Sequence, residues 1–302
     1  MTEPRPIGID PAELARPFPS TEVLTGKTEA LVASLDSAMR EGNLDPKLVR
    51  SLKSGAPRIH DDIILTYLGL KPATALVWYE LDLHNEEFYA QGYLAQTYVK
   101  HFPTAAQGGT DIVIDLVPDD RADIASLWNQ EAIEAVVASH PDVFIGEVDY
   151  TDPSFLAEEL AYFQCNNTSP EEDLIFGLLL GFPRSAVEPF AEHCPQIIAI
   201  CEVRQSKDTR FFNRESTRSP LGQIKYNENG ARDRLTAFLE ASEFRVDPAL
   251  LNYISRMRPA EVPGFRFATT GPISEYEKQL TATWEASGVN AKLERLLVSH
   301  GV

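Results

Sequence analysis

The chain has 302 residues, of which 43% are hydrophobic and 24% charged, so it can bury a sizeable core without covalent staples, as one large domain or two smaller ones. Its 45 acidic residues outnumber 27 basic ones, a formal net charge of −18 whose field repels phosphate backbones and anionic membranes. These numbers argue against nucleic-acid and membrane partners. Cys165, Cys194 and Cys201 are odd in number and form no CxxC pair, and residues 1–20 carry no basic-then-apolar leader pattern, so the expected location is cytoplasmic.

Pro4, Pro6, Pro11, Pro17 and Pro19 fix φ and remove backbone donors, which makes residues 1–20 an irregular arm ahead of a single domain over 21–302. From Thr21 the apolar spacing of Val23, Leu24, Leu31, Leu35 and Ala38 predicts a helix ending near Gly42, with a second short one from Asp45 to Leu52. His60, Asp61 and Asp62 read as the acidic first turn of a helix continuing through IILTYL.

Five segments then alternate in character: ATALVWYELDL, HNEEFYAQGYLAQTYVKHF, TDIVIDLVPDD, ADIASLWNQEAIEAVVASH and DVFIGEVDY. The first, third and fifth are β-branched or aromatic and of strand length, whereas the second and fourth have apolar residues three and four apart. This β-α-β-α-β rhythm predicts an α/β or α+β protein, a mixed sheet of about five to six strands with helices packed around it. Further along, helices are expected at SFLAEELAYF, RDRLTAFLEAS and PALLNYISRM, and strands at QIIAICEVR, GQIKYN and FRFATT. The tail reads as helical with a break at Ser287-Gly288.

The best-specified stretch is SPEEDLIFGLLLGFP, residues 169–183. Ser169 and Glu172 form a capping box around Pro170, and Gly181 and Pro183 stop the helix and start a second one through Val187 and Phe190. About ten helical residues fall far short of the ~20 needed to cross a hydrocarbon core. The run LLLGFPRSAVEPF resembles the Gly-aromatic-Pro turn of uncharacterised prokaryotic families that carry an "LGYP…V…F" element, over about residues 170–194. The resemblance implies a shared helical hairpin and no activity. Where some of those relatives have a Cys pair after the proline, this chain has Ser185 and Ala186.

Two constellations can carry chemistry. In YELDLH, an extended backbone projects Glu80, Asp82 and His84 from one face, a set able to act as acid and base or to bind a divalent metal with His101 or Asp111. The plainer reading is the solvated face of a strand. Between residues 204 and 234 lie eight basic and four acidic residues, a net +4 that leaves −22 for the rest of the chain. There Arg204, Lys207, Arg210, Arg214 and Arg218 alternate with Ser206, Thr209, Ser216 and Thr217, the donors that phosphates and carboxylates require. Their alternative role is pairing with the surplus carboxylates.

Gly108-Gly109 and Asp119-Asp120 bracket a strand but form no phosphate-binding motif. His193 and Cys194 are helix neighbours and so do not face each other. The leading expectation is an enzyme or binding protein for a small anionic molecule, with no cofactor specified and homo-oligomerisation left open. The alternative is a non-catalytic regulatory protein whose acidic surface docks a basic partner.

Overall fold

The computed structural model describes residues 18–44, 57–79, 99–118, 122–146, 149–152, 155–156, 169–193, 247–260, 262, 268–270 and 273–301. Helix α1 (Thr21–Arg40) is capped by Ser20, whose side chain accepts from the Val23 amide. It buries Leu24, Leu31, Leu35 and Ala38, the predicted stripe, and also Lys27 and Thr28. Helix α2 (Pro57–Leu68) begins three residues before His60. Asp62 therefore sits inside the helix and not in its first turn, where it pairs with Lys71 at 2.8 Å. The segment 45–52 lies outside the described residues.

Strands β1 (Ala73–Tyr79), β2 (Ile112–Pro118) and β3 (Ala122–Asn129) form an antiparallel sheet in the order β1-β3-β2. Alternation along the strands divides two cores. Ile112, Ile114 and Leu127 face the core built by α1 and α2, whereas Ala73, Val113 and Trp128 face a second core. That second core is filled by helix α3 (Gln130–Ser139) and helix α4 (Pro170–Leu179), through Ile133, Leu179 and Leu180 just beyond α4. The sheet is thus a middle layer with helices on both faces.

ADIASLWN, expected to open a helix, is the central strand, and only the part after Asn129 is helical. Pairing on both edges overrides its helix-like spacing. Asn129 joins the two elements: its Oδ1 accepts from the Ala132 amide to cap α3, and its Nδ2 donates to the Thr66 carbonyl of α2. Within DVFIGEVDY, residues 142–146 are turns and irregular backbone, with Gly146 at φ +105° and Ile145 exposed.

The predicted hairpin is present in detail. The Ser169 hydroxyl accepts from the Glu172 amide and the Glu172 carboxylate from the Ser169 amide. At the other end Gly181 adopts φ +83°, its amide donates to the Leu178 carbonyl and the Phe182 amide to Gly177, the double bond of a Schellman cap. A second helix occupies 184–193 and is designated α5.

Helix α6 (Pro248–Arg256) leads directly into β4 (Met257–Pro259), which pairs antiparallel with β5 (Ala268–Thr270). Helices α7 (Glu275–Ser287) and α8 (Val289–Ser299) meet at Gly288, φ +62°, where the tail was expected to break. Both pack on the α1 side through Leu280, Trp284, Leu293 and Leu296. Among the described residues the chain mixes helices with five strands, divided between two antiparallel sheets instead of one mixed sheet. None of the described helices is long and apolar enough to cross a membrane.

Candidate functional site

Glu80, Asp82, His84 and the basic set Arg204, Lys207, Arg210, Arg214 and Arg218 lie outside the described residues, as do Cys165, Cys194, Cys201 and Asp119-Asp120. The residues suggested as further ligands have local partners. Asp111 accepts from the Ala105 amide and holds the tight turn before β2. His101 offers its carbonyl to the Ser34 hydroxyl, and burial, helped by Lys100, pushes its imidazole pKa down. No group of three or more metal-ligating side chains occurs among the described residues.

Gly109 also acquires a structural reason. A Cβ there would stand 2.0 Å from the Pro103 carbonyl oxygen and 2.7 Å from the Tyr67 hydroxyl, so the bare backbone lets the loop close on itself. The His193 ring packs against Tyr253 with centroids 4.8 Å apart.

One cleft among the described residues combines apolar walls with an unsatisfied polar group. It is lined by Val136 and His140 from the end of α3, Leu178, Phe182, Pro183 and Arg184 from the hairpin, and Tyr276 from α7. Three elements far apart in sequence meet here because the Gly181 turn is pinned from outside: the Tyr276 hydroxyl donates to the Gly181 carbonyl at 2.6 Å. Tyr276 is itself buried and packs on Phe18, ring centroids 5.7 Å apart.

The chain matches no protein-family profile, no curated protein and no solved structure. The chemistry of the cleft therefore has to be read from its own atoms.

His140 is 4% exposed, and its Nδ1 lies 3.1 Å from the Val136 carbonyl one turn earlier. Its Nε2 is buried with no hydrogen-bond partner. Beside it Arg184 donates from Nε to Glu188 at 2.6 Å and from Nη1 to Asp142 at 2.7 Å, tying α5 to the turn after α3. Burial opposes the charge on Arg184, but the hydrogen bonds to Glu188 and Asp142 outweigh it and raise its pKa. In return the Arg184 hydrogen bond holds the Asp142 carboxyl below the usual range, against a smaller opposing effect of desolvation.

A carboxyl whose folded pKa is depressed contributes stability above its ordinary pKa of about 3.9 and loses it as pH falls through the lower folded value. Asp142 is 59% exposed, so screening keeps the contribution small. Asp142→Asn is expected to flatten the acid limb of a stability against pH curve below about pH 4, and to do so less in high salt. Chemical denaturation at a series of pH values checks this.

Neither His140 nor Arg184 stands out in the sequence. A histidine ending a helix reads as a partner for the dipole, and an arginine after Gly-Phe-Pro reads as surface charge. Only the fold shows the buried ring.

Proposed function

We propose that the protein is an enzyme or binding protein for a small anionic molecule. The observation that carries this reading is the concentration of positive charge, +4 over residues 204–234 against −22 elsewhere. Arg204, Lys207, Arg210, Arg214 and Arg218 supply forked and point-charge donors, and Glu80, Asp82 and His84 supply an acid, a base or metal ligands.

The test uses inorganic phosphate at constant ionic strength. A saturable rise in Tm with phosphate is expected for the native chain and its loss for Arg210→Ala/Arg214→Ala. A rise that survives in the double variant, or no rise in the native chain, overturns the proposal.

The surplus of 18 negative charges favours a second reading, in which the acidic surface docks a basic protein. Binding of polylysine that does not weaken as salt rises counts against it.

A further inference from the structure

Two lysines are buried among the described residues, and their amines have different surroundings. Lys71 Nζ has the Asp62 carboxylate at 2.8 Å, a charge-assisted hydrogen bond that offsets the loss of water. Lys27 lacks such a bond. It lies on the apolar stripe of α1 between Leu24 and Leu31, its side chain 11% exposed, and its ionic contact among the described residues is Glu131 Oε2 at 3.9 Å, beyond hydrogen-bond reach. Glu131 is 83% exposed, so solvent screens the attraction that remains.

Burial pushes the Lys27 pKa down, against a smaller upward pull from Glu131. Near neutral pH a larger share of this amine is therefore uncharged and nucleophilic than for a solvated lysine. The nitrogen is also within reach. It makes no hydrogen bond among the described residues, yet it is not one of the buried polar atoms stranded without a partner, so Nζ itself meets solvent beside Glu131. A group attached there extends past an exposed carboxylate into open water and needs no cavity.

The charge of the product decides between carbonyl electrophiles. A carbamate formed from carbon dioxide sets an anion beside Glu131, whereas an amide is neutral and removes the charge whose burial is unfavourable. We propose that Lys27 is an acylation site, its amine taking an acyl group from a thioester to leave a neutral amide at the surface between α1 and α3. The nitrogen lone pair forms the C–N bond, the C–S bond breaks with its electrons on sulfur, and the displaced N–H proton passes to the thiolate, which leaves as a thiol. The modified side chain loses its attraction to Glu131, the ionic tie between α1 and α3. None of these groups takes part in the anion reading.

The probe is the acetyl thioester of N-acetylcysteamine, added to the folded native chain over a pH series, with acetylation of each lysine followed by peptide mass spectrometry. Lys278, 61% exposed, is the solvated reference and Lys71 the buried, paired one. Near pH 7 Lys27 is expected to acetylate at least about threefold faster than Lys278, with Lys71 slower than both. Its lead is expected to close as pH approaches the ordinary lysine pKa of about 10.4. A Lys27 rate no greater than that of Lys278 near pH 7 overturns the proposal. So does a Lys71 rate equal to that of Lys27, since the missing partner would then have no effect. All three sites are read on the native chain, so the result does not depend on a substitution at a buried position folding.

Discussion

Replacing Arg258 by alanine is expected to cost about 3–5 kcal/mol of folding stability, because it strands a buried carboxylate. Glu277 is 1% exposed, and both of its oxygens are held by the Arg258 guanidinium, at 2.9 and 2.7 Å. Glu277 also accepts from the Ser274 amide in the capping box of α7, so the same side chain starts that helix and fastens β4 to it. Removing the guanidinium takes both of its hydrogen bonds and the opposite charge away from a carboxylate that stays desolvated.

The sign of the pair's own contribution is a separate matter. Two apolar residues of similar volume lose the ionic attraction and its desolvation cost together, so Arg258→Met/Glu277→Leu is expected to lie well above Arg258→Ala, short of the native value by about the lost cap. Urea denaturation of the three variants decides it. If Arg258→Ala and the double variant are equally unstable, burial of the unpaired charge is not the cause.

The second large effect concerns Gly177. Alanine normally favours a helix interior over glycine by about 1 kcal/mol, yet a Cβ at this position would approach Val187 Cγ1 to 2.5 Å and Cγ2 to 2.8 Å. Val187 is 4% exposed and packed, so it has little room to withdraw. Gly177→Ala is expected to destabilise the native chain by about 1–3 kcal/mol. In a Val187→Ala background both methyl groups are gone and only the Cβ of residue 187 stays close, at 3.3 Å, a contact relieved by a shift of a few tenths of an ångström, so the same substitution is expected to stabilise. A double-mutant cycle measured by denaturation checks the reversal of sign. The same sign in both backgrounds would falsify the account of close helix contact.

How far the sequence reveals this architecture depends on whether the deciding forces are local. Ser169, Pro170, Glu172, Gly181 and Pro183 act through backbone geometry within a few residues, and the hairpin they predict is the one observed. Ser287-Gly288 acts similarly, and so does the apolar stripe of α1. Where partners lie far along the chain the local pattern misleads. Ile124, Leu127 and Trp128 have helical spacing, but β1 and β2 claim both edges of their segment. The β-branched run after Pro141 turns instead, since Gly146 takes a left-handed conformation and the Phe144 amide returns to the His140 carbonyl.

The site is less legible still. Its two polar members, His140 and Arg184, are separated by the chain that builds the hairpin, and only packing brings them to one cleft. Lys27 shows the same limitation: it lies on the buried stripe of α1 between Leu24 and Leu31, burial lowers its pKa, and its ion pair with the exposed Glu131 spans 3.9 Å, a partner that local spacing does not announce.

The hydrogen bond from Tyr276 to Gly181 spans 95 residues, and it bears on the order in which the molecule becomes competent. During synthesis the capped hairpin can form as soon as residues 169–193 have emerged, because its stops are local. The wall that Tyr276 supplies arrives only after the chain has extended well beyond it. Contacts of such separation are made late, once the loop-closure entropy has been met. The cleft is thus a property of the finished chain.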